Sequence, residues 1–141
     1  MRVSLRPMSL ADYPEVLALW RRTGGMGLGE SDEAPALARF FDQNPDLSPV
    51  ALAPDGRIVG AVLCGHDGRR GFLYHLAVDV AHRERGVGRL LVEHCLFSLR
   101  ARGIHKCNVF LFRDNERGAD FWQHNGWSER EDLRVFQRVL G

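Results

Sequence analysis

Leu76-Ala77-Val78, followed by Arg83-Glu84-Arg85-Gly86-Val87-Gly88-Arg89, is the stretch on which the reading of this chain turns. Phe72–Val78 is nearly continuously apolar, which predicts a central strand covered on both faces. Asp79–Arg85 leaves that strand, and the glycines Gly86 and Gly88 lead into an amphipathic run. Leu90, Leu91, His94, Cys95, Phe97 and Ser98 recur there at helical spacing, and Gly103 supplies a helix stop. The first turn of a helix leaves backbone N–H groups unpaired, and its dipole places roughly half a positive charge there. Glycines without a Cβ let a phosphate approach the backbone closely. Arg83, Arg85 and Arg89 add formal charge around the same turn. In outline this is a cradle for a diphosphate. The plainer alternative is a strand-to-helix turn with no ligand.

Outward from this segment the chain reads as one α/β (α+β) domain over 1–141. Arg2–Arg6 alternates as a short strand ended by Pro7. Ser9 and Asp12 mark a helix start, and Leu10, Tyr13, Val16, Leu17 and Trp20 form its apolar stripe. Gly24, Gly25, Gly27 and Gly29 break that helix. A weaker helix is expected over 31–43, with Leu37, Phe40 and Phe41 inward. Val50–Ala53 and Arg57–Cys64 form a hairpin about Pro54-Asp55-Gly56. Downstream, Lys106–Phe112 reads as a strand, Asn115–His124 as a helix stopped by Gly126, and Leu133–Leu140 as a last strand. A short strand is also expected at Trp127–Arg130. The order β-α-(α)-β-β-β-α-β-α-β is not the strict alternation of a doubly wound sheet.

Composition narrows the class further. A chain of 141 residues with 45% hydrophobic and 26% charged residues is globular rather than disordered. Nineteen basic and eighteen acidic side chains leave a net charge of +1, and the pI is about 7.8. That balance gives no support to a nucleic-acid or membrane-surface role. Cys64, Cys95 and Cys107 are odd in number and sit in apolar segments, as expected of unpaired thiols in a reducing compartment. No signal peptide or membrane-spanning run is visible, so a cytoplasmic location is expected. Six scattered histidines do not suggest a metal site.

The glycine turn lacks the G-x-x-x-x-G-K-[ST] of a P-loop and the third glycine of a dinucleotide-binding fingerprint. Arg83-x-x-Gly86-x-Gly88 instead resembles the R/Q-x-x-G-x-G/A motif of the GNAT superfamily of N-acetyltransferases. Leu76-Ala77-Val78 is similar to that family's splayed central strand. Asn115, Phe121-Trp122 and Gly126-Trp127 resemble its downstream N…FY…GF signature, and the order of elements matches from Val3 to Leu140. The resemblance implies a GNAT fold: a mixed central sheet with splayed parallel strands, here Phe72–Val78 and Lys106–Phe112, and flanking helices. It also implies that acetyl-CoA (coenzyme A) lies in the gap. Leu76, Ala77 and Val78 would meet the pantetheine arm, chiefly through the backbones of Leu76 and Val78. Arg83, Glu84, Arg85, Gly86, Val87, Gly88 and Arg89 would surround the pyrophosphate. Asn115 would bond the cofactor near its thiol, or would only cap a helix.

The implied reaction is attack by a primary amine of a small molecule or peptide on the thioester. It needs a base for the amine, a donor for the developing oxyanion and a proton for the leaving thiolate. The backbone N–H of Leu76 or a neighbour is the expected oxyanion donor. The family's usual tyrosine acid is replaced by Trp122, whose indole N–H donates but is no acid. This departure raises an alternative, a non-catalytic acyl-CoA-binding or interaction module. His75 and Tyr74 are the candidate bases, histidine having the better ordinary pKa, about 6.5. Strand alternation lets at most one of the two face the amine; otherwise they pack. Glu30, Asp32 and Glu33 beside the glycine-rich loop could attract a cationic amine or simply be solvated. Trp20 and Trp122 line the acceptor pocket or fill core. A homodimer is possible, since dimers are frequent in the resembled family.

Overall fold

A computed structural model describes residues 2–141. They form two compact units, one ending at Phe110 and the other spanning Leu111–Gly141. The first holds a five-stranded sheet: β1 (Ser4–Pro7), β2 (Pro49–Leu52), β3 (Ile58–His66), β4 (Gly71–Val78) and β5 (Cys107–Val109). The strands lie side by side in chain order, antiparallel from β1 to β4, with β5 parallel to β4. Helices α1 (Tyr13–Arg21), α2 (Ala34–Gln43) and α3 (Val87–Ala101) belong to the same unit.

Local chemistry sets these elements. Arg6 forks onto Asp12 with both donor distances at 2.8 Å, and Asp12 accepts the Ser9 N–H at 2.9 Å. This pins β1 to the entry of α1, which carries Pro14 in its first turn, where a missing N–H costs nothing. The glycines of the sheet report what covers each face. A Cβ on Gly60 would meet Leu91 and Val87 of α3 at 3.0 and 3.1 Å, whereas one on Gly65 would meet Phe40 of α2 at 2.7 Å. Odd separation along a strand means opposite faces, so α3 covers one side of the sheet and α2 the other. Val16, Leu19 and Trp20 of α1 and Leu37 of α2 share one core with Ala61, Leu63 and Ala77 of the sheet.

Several expectations need correction. The central strand is β3, buried from Ile58 to Gly65, while β4 mixes buried and half-buried residues. The apolar run Phe72–Val78 therefore marks a penultimate strand. The buried stripe of α3 is Val87, Gly88, Leu91, Val92, Cys95 and Leu99, whereas Leu90 and Phe97 are exposed. The strand expected over Lys106–Phe112 is only Cys107–Val109 long, because β4 pairs with it only from Gly71 to Leu73. The strands expected at Trp127–Arg130 and Leu133–Leu140 do not form. A strand needs a neighbouring edge for its N–H and C=O groups, and no described strand pairs with this segment. Leu133, Val135, Phe136, Val139 and Leu140 stay exposed.

The second unit contains α4 (Glu116–His124), matching the expected helix to within one residue. Asn115 Oδ1 accepts the Gly118 N–H at 2.9 Å, the N-cap that was one of its two expected roles. Gly126, at φ 92°, ends the helix, and the Trp127 N–H returns to the Trp122 carbonyl at 3.0 Å. Trp122 is buried, edge-on to Phe121 at 5.2 Å and to Trp127 at 4.8 Å between ring centroids.

Candidate active site

The first feature is an open strand edge. The β4–β5 register runs Gly71↔Cys107, Phe72↔Asn108, Leu73↔Val109 and stops, although β4 continues to Val78. On the other side β4 follows β3 as far as Val78↔Gly60, and the Asp79 N–H donates to the Val59 carbonyl at 2.8 Å. Hydrogen-bonding direction alternates along an antiparallel strand. Asp79 and Ala77 therefore turn toward β3, and the backbones of Leu76 and Val78 turn toward the open edge. Ala77 itself is buried core. The Val78 carbonyl is partly taken, because Arg83 Nε donates to it at 3.1 Å. Arg83 thus ties the glycine turn to the strand end.

The second feature is that turn. Glu84 lies at φ 61° and Gly86 at φ 79°, two left-handed residues within three positions. Gly86 precedes Val87, the first residue of α3, and a Cβ there would meet nothing within 4 Å. The constraint on Gly86 is therefore conformational rather than steric. The first helical bond runs from the Leu90 N–H to the Gly86 carbonyl at 2.9 Å. The N–H groups of Val87, Gly88 and Arg89 precede it and have no intrahelical acceptor. Arg85 and Arg89 are exposed beside them, and Val87 and Gly88 are buried. Dipole, unpaired N–H groups and two arginines suit this turn to a diphosphate.

The third feature was not legible in the sequence. β4 carries a bulge in which His75 and Leu76 together face Val62, between the pairs Ala61↔Ala77 and Leu63↔Tyr74. His75 sits at φ 56°, a conformation that costs a non-glycine residue energy. The bulge breaks strand alternation, so the expectation that Tyr74 and His75 point to opposite faces fails. Tyr74 packs edge-on to Phe40 of α2 and parallel to Phe72, while His75 lies 5.0 Å from the Trp20 ring of α1. Both sit on the side covered by α1 and α2. Burial, and secondarily Cys107, raises the Tyr74 phenol above its ordinary pKa. Tyr74 therefore stays a neutral phenol and is a poor base.

His75 has a built partner. Its Nε2 lies 2.7 Å from Asp32 Oδ1. Asp32 is 7% exposed, and its other oxygen accepts the Gly29 N–H at 2.9 Å. Of the three loop carboxylates, Asp32 is therefore turned inward rather than offered to a cationic ligand. Glu30 and Glu33 remain exposed, along an open groove of about 410 Å³ also lined by Arg39. Trp20 is completely buried, and its Nε1 has no hydrogen-bond partner among the described residues. The signal that could have suggested the pair was weak: one of three acids after a glycine-rich loop, 43 residues before the histidine.

The cysteines are chemically quiet. Cys64 and Cys95 are buried, and the Cys95 thiol is held far above its ordinary pKa by its hydrogen bond to Cys64 and by burial. Burial, with Cys64 second, pushes the half-buried Cys107 up to about 12. Among the described residues no helix is long and apolar enough to cross a membrane.

Similarity to known proteins follows the same architecture. The chain is 34% identical over 129 residues to an acetyltransferase of Sodalis glossinidius, covering 92% of this chain and 89% of that protein. It is 28% identical over 138 residues to an acetyltransferase of Yersinia enterocolitica, covering 98% and 96%. The PaiA N-acetyltransferase of Thermoplasma acidophilum, solved in complex with coenzyme A, superposes with a TM-score of 0.79. Its identity is 19%, over 93% of this chain and 92% of that one. A GNAT-family acetyltransferase of Staphylococcus aureus reaches 0.81 at 13% identity, over 98% and 94%. The acetyltransferase (GNAT) family matches residues 13–127. With the mixed sheet, the strand edge left open beyond Leu73 and the glycine-led start of α3, this match makes the chain a member of the GNAT acetyltransferase family.

Proposed function

We propose that this chain transfers the acetyl group of acetyl-CoA to the primary amine of a small molecule or peptide by direct attack. The observation that carries the reading is the continuity of two features. The open edge of Leu76 and Val78 is tied through Arg83 to the unpaired N–H groups at the start of α3. An extended arm ending in a diphosphate needs that pairing: a strand edge for its amides and a cationic helix start for its phosphates. The residues fit coenzyme A in this sense, and the cofactor would bring an activated thioester. Leu76 and Val78 would hold the arm, and the N–H groups of Arg85, Gly86, Val87, Gly88 and Arg89 the pyrophosphate. A backbone N–H freed near the bulge would face the developing oxyanion. The amine must lose a proton to attack, and of the two candidate bases His75, rather than the Tyr74 phenol held up by burial, is the nearby group for that step. Trp122 supplies no acid, so the thiolate takes its proton from another group or from water.

The test is calorimetric titration with acetyl-CoA, then thiol release against spermidine, free lysine, kanamycin and a peptide with a free N-terminal alanine. Binding followed by amine-dependent thiol release is expected. Binding without release for any amine would favour an acyl-CoA-binding module, and no binding at millimolar acetyl-CoA would overturn the reading. We also place the protein in the cytoplasm, supported by three unpaired cysteines. The exposed apolar side chains of Leu133–Leu140 favour a homodimer, which sedimentation velocity reads directly.

A further inference from the structure

We propose that Asp32 is a positioning residue that fixes the tautomer of His75, and that the pair supplies the base for the incoming amine. This inference rests on the acetyl-transfer reading above and deepens it. A carboxylate accepts hydrogen bonds and does not donate them. At 2.7 Å from Asp32 Oδ1, Nε2 is therefore the protonated nitrogen of the neutral His75 imidazole, which leaves the lone pair on Nδ1. Asp32 cannot swing away readily, because its second oxygen holds the Gly29 N–H and the residue is buried. His75 is fixed from two further sides. Its backbone is locked at φ 56° in the bulge, and its ring lies 5.0 Å from the fully buried Trp20.

The placement matches the chemistry. His75 is adjacent to Leu76, whose backbone faces the open edge. Its side chain is 18% exposed, enough for proton exchange and too little for free rotation in solvent. The groups against it are Asp32 from the turn before α2 and Trp20 from α1. Asp32 is hydrogen-bonded to it, so an imidazolium formed there has a buried counter-charge.

The step balances as follows. An ammonium substrate gives one proton to His75 Nδ1, and the neutral amine attacks the thioester carbon. The C–N bond forms and the C–S bond breaks. The second proton of the attacking nitrogen goes to the departing thiolate, and the imidazolium returns its proton to water. No oxidant, reductant or metal is required.

The test begins with a readout independent of activity. In protein labelled with ¹⁵N-histidine, long-range NMR correlations should show the neutral His75 as the Nε2–H tautomer. In Asp32→Asn that preference should be lost or reversed. An Nδ1–H tautomer in the wild type overturns the inference whether or not the protein acetylates anything, and this arm survives if the variant fails to fold. Kinetics follow with the first amine of the panel that is turned over. Asp32→Asn should lower kcat about 10²-fold, the low end for loss of a general base, with KM for acetyl-CoA within threefold. His75→Gln should show a similar loss, and the double variant little more than either alone, as for residues acting as a unit. Multiplicative losses, or an Asp32→Asn variant with wild-type kcat, would overturn it. Absence of turnover in every protein, with the expected tautomer present, would instead count against the acetyl-transfer reading.

Discussion

Gly86 and Gly56 offer a matched pair of perturbations. Both are left-handed, at φ 79° and 89°, and at both a Cβ would meet nothing within 4 Å. Replacement by alanine therefore costs conformational strain alone, about 1–2 kcal/mol in each case. For a chain of 141 residues that lowers Tm by roughly 3–8 °C. The two positions differ only in what surrounds them. Gly56 turns the β2–β3 hairpin, where the Gly56 N–H donates to the Ala53 carbonyl at 2.9 Å. Gly86 opens α3 beside Arg85 and Arg89. If the Gly86 turn holds the pyrophosphate, re-aiming one N–H loses a charge-assisted hydrogen bond of about 1.5–3 kcal/mol. That is at least about a tenfold rise in the Kd for coenzyme A. Calorimetric titration and thermal unfolding on both variants decide the matter. Gly86→Ala should lose affinity and stability, and Gly56→Ala stability alone. Equal affinity in the two variants would refute the assignment of the cradle.

Three further outcomes follow from packing and charge. Gly65→Ala places a methyl 2.7 Å from Phe40 and 2.9 Å from Asn44, whose Oδ1 holds the His66 N–H; urea unfolding should show a loss of about 1–3 kcal/mol. Asp12 is held below its ordinary pKa, first by the Arg6 hydrogen bond, so its contribution is present above the unfolded carboxyl pKa and fades as pH falls through the folded value. Asp12→Asn should cost about 0.5–1 kcal/mol at pH 7, discounted for the exposed arginine, and the gap to wild type should close below about pH 4. With its thiol pushed up to about 12, Cys107 should resist brief iodoacetamide treatment at pH 8; rapid single labelling at Cys107 by mass spectrometry would contradict that burial.

What the chain discloses by itself divides along a physical line. The glycine turn and α3 were legible because their signals are local: glycine at positive φ, a helical apolar stripe and a basic first turn. The hairpin about Gly56 and the end of α4 at Gly126 follow for the same reason. Leu133–Leu140 has the alternation of a strand, but a strand exists only against a partner edge, which no window of sequence contains. The inner stripe of α3 was misassigned at Leu90 and Phe97 because apolar residues also stand on exposed surfaces. His75 at φ 56° was hidden because histidine gives no local cue for a bulge, and the bulge is what defeated the alternation argument at Tyr74 and His75. Its bond to Asp32 joins residues 43 positions apart and depends on the packing of α1 and α2 against β4.

Acetyl transfer to an amine is read from the mass of its product. Purified protein is incubated with acetyl-CoA and each amine of the panel, and the amines are weighed by mass spectrometry beside a no-enzyme control. At least one amine should gain a single acetyl group on nitrogen in step with thiol release. Thiol release with every amine unmodified would mean hydrolysis rather than transfer, and would contradict it.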